Sequence, residues 1–170
     1  MLENMTDKQY QSFWQFSSTV YQQEQVSLLL LKSQDEIGSN MNLVLLCLWL
    51  NQQNVLLSNP QIEKLHVTVM AFSQQFTKSI RSLRNNFKQQ QQNINEYSEI
   101  RKKLLESELL LEQQEQQILL NLLSEFTANT SEKVPTLSDN LVAYQGYLLN
   151  IGSKLKPFES DLSLLNQYVS

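Results

Sequence analysis

The sequence predicts an all-α fold, an antiparallel bundle of about five helices followed by a kinked or broken C-terminal helix, and three observations predict it. Only 3 Gly and 3 Pro among 170 residues leave too little punctuation for the tight turns of a sheet protein. Leu and Gln, both good helix formers, dominate the composition. Apolar residues recur at spacings of three and four along most of the chain. At this length one buried core is expected, so residues 1–170 read as a single helical domain: a bundle core over 6–126, a linker over 127–136, and a C-terminal helix over 137–169 docked on the bundle.

Thr6 and Asp7 can cap a first helix reaching about residue 23, with Tyr10, Phe13, Trp14, Ser17 and Tyr21 on one face. A second helix over about 25–37 stops at Gly38, the expected left-handed cap. Asn40 then caps a third helix to about residue 53. Its run from Leu43 to Leu50 is apolar around the whole circumference, which makes it the central helix, and polar Asp35 and Asn42 stand at the mouth of the core. Asn59 and Pro60 start a fourth helix reaching about Lys88, with the inner stripe Ile62, Leu65, Val69, Phe72, Phe76, Ile80, Leu83 and Phe87. A glutamine-rich connection leads to a fifth helix over about 96–126, with Tyr97, Leu104, Leu111, Leu119, Leu122 and Phe126 inward. Beyond Pro135, residues from Leu137 to Leu165 keep one helical register, interrupted near 152–157.

A net charge of −4 and a pI near 5.0 argue against general nucleic-acid binding, which needs a broad basic surface. A lone cysteine, Cys47, excludes an internal disulfide and fits a reducing compartment. The first residues lack the basic and apolar regions of a secretory signal, and no apolar run approaches the roughly 20 residues of a membrane span. A cytoplasmic location and no membrane contact are therefore expected.

Two segments carry a family resemblance: Phe13-Trp14-x-Phe16 with Tyr21, and Gln34-Asp35-x-x-Gly38-x-x-Met41-Asn42-Leu43-x-Leu45-x-Cys47-x-Trp49-Leu50. They resemble an uncharacterised family of bacterial proteins, mostly proteobacterial, catalogued as conserved hypotheticals or a domain of unknown function. Arg81-x-Leu83-Arg84-x-x-x-Lys88, Glu108-x-x-x-Glu112 and Asn140-Leu141-x-x-Tyr144 look like its later segments. Ser79-Ile80 stands where that family often has a proline. The resemblance implies a small cytosolic helical protein and brings no activity with it.

On the fifth helix Arg101, Glu108, Glu112 and Glu115 project within or beside the apolar stripe. An unpaired buried carboxylate costs several kcal/mol or takes up a proton, so these acids need partners. Arg81 and Arg84 supply them if the fourth and fifth helices pack antiparallel. Two expectations follow: an inter-helix ion-pair ladder that sets helix register, or a polar pocket formed by Asp35, Asn42, Arg81, Arg84, Glu108 and Glu112 that binds a small anionic ligand.

No cofactor or metal is expected. Glu63-x-x-His66 matches half of a di-iron motif, but such sites need a second copy and this chain has one His. Cys47 lies in the apolar third helix and reads as packing, His66 as a flanking residue, and Trp14 and Trp49 as core or interface anchors. No phosphate loop or serine triad is present. The leading expectation is a non-enzymatic interaction or regulatory module with a protein partner or a second copy of itself. The alternative is a small-molecule binding protein or enzyme using the interior polar cluster.

Overall fold

The computed structural model describes residues 7–129, 139–152 and 165–169, and among these every regular element is helical. They are α1 (Asp7–Tyr21), α2 (Glu24–Ile37), α3 (Met41–Gln52), α4 (Asn59–Phe72), a π-helical turn (Ser73–Thr77), α5 (Lys78–Lys88), α6 (Tyr97–Asn129) and α7 (Asn140–Asn150). Residues 165–169 add a short helical turn.

α3 is the hub. Every residue from Met41 to Leu50 is buried, and α1, α2, α4, α6 and α7 surround it. A helix this apolar stays in water only when wrapped on all sides. Its start is built tightly: Gly38 adopts φ 72°, donates its N–H to Ser33 O, and closes α2. Two residues later Asn40 Oδ1 accepts the Leu43 N–H at 3.0 Å and opens α3. α4 begins one residue earlier than the Asn59 cap expected from sequence, because Ser58 takes the cap position and its N–H donates to Gln61 Oε1 at 2.8 Å.

The fourth helix is not a continuous α-helix. In the π turn the Lys78 N–H reaches back to Ser73 O, five residues away, which accommodates one extra residue. The inward positions therefore move by one from the expected stripe. Ile62, Leu65 and Val69 are buried as read, but Thr77 is 1% exposed while Phe76 is 41% exposed, and Leu83 is 50% exposed. Arg81 and Arg84 take the inward places.

α5 and α6 run antiparallel, as the contacts Phe87 with Tyr97 and Arg84 with Glu108 require. At 33 residues α6 is about 50 Å long. α6 continues to Asn129, into the expected linker, whose remaining residues lie outside the described ones. α7 docks on α3 and α4, burying Leu141, Tyr144 and Leu148. Its first turn is bolted down by Asn140, whose side chain accepts the Leu57 N–H and donates to Val55 O, both at 2.7 Å. The helix ends at Ile151, before Gly152 at φ 89°; the expected break region beyond it lies outside the described residues.

A cleft beside the inward carboxylates of α6

Four polar side chains, Glu108, Glu112, Glu115 and Gln116, line the inner side of α6 over three successive turns. Nearest the α5 junction, Glu108 is buried and held by both arginines: Arg81 Nε donates to Oε1 at 2.8 Å, and Arg84 Nε to Oε2. Burial pushes the Glu108 carboxyl up, but hydrogen bonds from Arg84 and Arg81 outweigh it and hold the group below its ordinary value. One turn on, Glu112 Oε1 accepts from Arg81 Nη2 at 2.8 Å. Here burial dominates: against the pull of Arg81, and with Glu108 repelling, the carboxyl is pushed up to about 7.

The next turn carries Glu115 and Gln116, both buried, and their partners come from the start of α3. Asn40 Nδ2 and Asn42 Nδ2 donate to Glu115 Oε2 at 3.0 and 2.9 Å, and Gln116 Nε2 donates to Asn42 Oδ1 at 2.9 Å. On the far side of Asn40, its N–H donates to Tyr144 Oη at 3.0 Å, and that hydroxyl lies 2.8 Å from His66 Nδ1. Either partner can supply the proton of that contact, the hydroxyl to the Nε2–H tautomer of neutral His66 or Nδ1–H to the hydroxyl. Burial, with Lys78 adding to it, lowers the His66 pKa.

Beside this seam lies a cleft of about 240 Å³ between α1, α3 and α6. α1 supplies Trp14, Ser17 and Tyr21, and α3 supplies Met41, Asn42 and Leu45. α6 supplies Leu109, Glu112 and Gln116, and Ser18 and Gln22 complete the lining. Two atoms of these lining residues, Ser17 Oγ and Gln116 Oε1, are buried and find no hydrogen-bond partner among the described residues.

Of the six residues proposed from sequence, Arg81, Arg84, Glu108 and Glu112 are brought together. Asn42 sits one helical turn further along the seam, joined through Glu115 and Gln116. Asp35 does not join them: it is exposed near the end of α2 and takes part in none of these contacts, because the inward positions of that turn belong to Ser33, Gln34 and Ile37. Glu115 was read as inward-facing, but its partners are amides rather than guanidiniums. Sequence reasoning missed Gln116 and the pairing of His66 with Tyr144. A glutamine among the many on α6 gives no signal of its own, and His66 is buried rather than flanking. Glu63 is exposed, and among the described residues no cluster of His, Cys, Asp and Glu could hold a metal ion. No described helix is long and apolar enough to cross a membrane.

Residues 12–119 match the family described as protein of unknown function (DUF2390). No curated protein and no solved structure matches the chain. The matched span includes every residue that lines the cleft and both arginines of the ion-pair cluster. It covers well over half of the sequence, and the chain belongs to this family of proteins of unknown function.

Proposed function

We propose that the protein is a non-enzymatic regulatory module that binds a small molecule in the cleft between α1, α3 and α6. The observation that carries this reading is the pair of unpartnered buried atoms, Ser17 Oγ and Gln116 Oε1, on residues that line the cleft. Each such atom costs about 1–3 kcal/mol, and an apolar side chain at position 17 would both remove one and fill the space. A ligand that completes their hydrogen bonds gives the arrangement a purpose.

The cysteine and the histidine lie away from the cleft. Cys47 is fully buried in α3 with its thiol pushed up by burial, and His66 is committed to Tyr144. The arginines expected to receive an anion are both engaged by carboxylates, which disfavours the anionic ligand. A second reading, docking of a protein partner or a second copy, is favoured by the apolar side chains exposed on the α5–α6 hairpin, Leu83, Leu105 and Leu110 among them. The cytoplasmic location remains the expectation set by the lone cysteine.

A thermal-shift screen of small metabolites against the wild type and Ser17→Leu tests the cleft. A ligand at about 100 times its Kd stabilises by about 2.7 kcal/mol, a Tm rise of about 5–10 °C for a chain of this size. At least one compound is expected to act on the wild type and not on Ser17→Leu, which should itself be no less stable. Compounds that act equally on both proteins, or none acting on either, would contradict the proposal.

A further inference from the structure

Resting on the cleft as a binding site, we propose that its ligand is a small ammonium-bearing molecule with a compact apolar body, the ammonium gripped by Glu112, Gln116 and Ser17.

The hydrogen-bonding sense of the seam is set by the backbone. Because Asn40 Oδ1 accepts the Leu43 N–H as the helix cap, Nδ2 is the atom left to face Glu115. Glu115 Oε2, already receiving that donor, also receives Asn42 Nδ2, which turns Asn42 Oδ1 toward Gln116. Oδ1 accepts from Gln116 Nε2. The atom left over at the end of this relay is Gln116 Oε1, which can only accept.

The other free capacity has the same sign. Arg81 takes Glu112 Oε1, while Oε2 has no hydrogen-bond partner among the described residues. The Ser17 hydroxyl is unpartnered and can accept. Asn42 Nδ2 and Gln116 Nε2 each spend one N–H within the seam, and the charges of Arg81 and Arg84 are taken by Glu108 and Glu112. The cleft therefore offers three acceptors, one of them on a carboxyl group, and an ammonium offers three donors and no acceptor. Donors are present as well, on Trp14, Ser18, Tyr21 and Gln22, so it is the carboxyl group that separates a cation from an anion here.

Charge points the same way. Glu112 faces Arg81 from α5, Tyr21 from α1, and Glu108 and Glu115 on its own helix, with Arg84 beyond Glu108. That set puts three carboxyl groups beside two guanidiniums, and a ligand cation would supply the missing charge. Trp14, Met41, Leu45 and Leu109 form the apolar wall. An apolar cavity of about 150 Å³ accommodates benzene, so about 240 Å³ has room for a ring bearing one substituent.

Benzylamine, benzyl alcohol and benzoate share a ring and differ in the polar group. They would be titrated at pH 8 into ¹⁵N-labelled protein, with the Trp14 indole resonance, assigned by Trp14→Phe, as the reporter. Benzylamine is expected to move that resonance at a concentration at least tenfold lower than benzyl alcohol, and benzoate not to move it. Glu112→Gln, which keeps a group for Arg81 but drops the charge, should weaken benzylamine at least tenfold and leave benzyl alcohol unchanged. Benzyl alcohol or benzoate matching benzylamine would overturn the ammonium assignment while leaving the cleft a binding site. Silence of all three probes overturns the assignment as well, and the metabolite screen with Ser17→Leu then decides whether the cleft falls with it.

Discussion

Asn40 carries two duties that pull on opposite ends of one side chain. Its Oδ1 caps α3, and its Nδ2 is one of two donors on the buried Glu115 oxygen. The cap was legible in the sequence, since an asparagine between Gly38 and a long apolar run has a local explanation. The second duty was not, because nothing local connects Asn40 to a carboxylate 75 residues further along the chain. Tyr144 lies within the helical register read from Leu137 to Leu165, which gives no sign that its hydroxyl joins Asn40 to His66. A substitution at position 40 separates the two duties. Asn40→Ala should lower stability by about 3 kcal/mol in urea unfolding, from the cap and from a hydrogen bond to a charged group. Asn40→Asp keeps a good cap but sets a second carboxylate against Glu115, so it should be at least as destabilising, and more so at pH 8 than at pH 5. If Asn40→Asp instead proved as stable as the wild type, capping alone would matter there.

Helix existence and order were readable because each helix carries its own period and punctuation, most clearly α3 and the Gly38 stop. The failure within the fourth helix has one physical origin. Projection at 3.6 residues per turn assumes that no residue is inserted, and the π turn at Ser73–Thr77 inserts one. Past that turn the stripe positions 76 and 83 pass to 77 and 84, and Arg81 joins half-buried Ile80, which places arginines where aliphatic residues were expected, while Phe87 keeps its place against Tyr97. The ion pairs with Glu108 and Glu112 thus depend on an irregularity that periodicity conceals. Deleting exposed Gln75 should convert the π turn to regular α-helix while leaving the downstream face in place. The variant should keep stability within about 1 kcal/mol of the wild type, the range of ordinary surface changes. If the helix were already regular, the deletion would swing Arg81 and Arg84 away from buried Glu108, and a loss of about 3–5 kcal/mol would follow.

Taken as a whole, the molecule is an apolar hub, α3, with one long helix laid against it whose inner side becomes polar along part of its length. Glu108, Glu112, Glu115 and Gln116 are presented to α5, α1 and α3, and the cleft opens where α1 leaves that polar seam uncovered. The inward turn of these acids was legible from the helical projection, and Arg81 and Arg84 as partners from the antiparallel pairing. The cleft was not, because a void is a property of three helices packing together, and no residue on any of them announces it. The same packing gives neighbouring carboxyls opposite effects on stability. Glu108, held below its ordinary value, contributes stability that is present above the unfolded value of 4.5 and lost as pH falls through its folded value. Glu112 is raised, so the folded state binds its proton more tightly than the unfolded chain, and its contribution falls away as pH climbs from 4.5 to about 7.

The most direct test of inward carboxylates under unequal compensation is a ¹³C titration of the glutamate side-chain carboxyls, with Glu108 and Glu112 assigned by substitution to Gln. Glu112 should titrate near 7 and Glu108 below 4.5, in the same molecule and one helical turn apart. Both groups titrating together near 4.5 would mean that they face water, and neither the ion-pair cluster nor the charged wall of the cleft would survive that result.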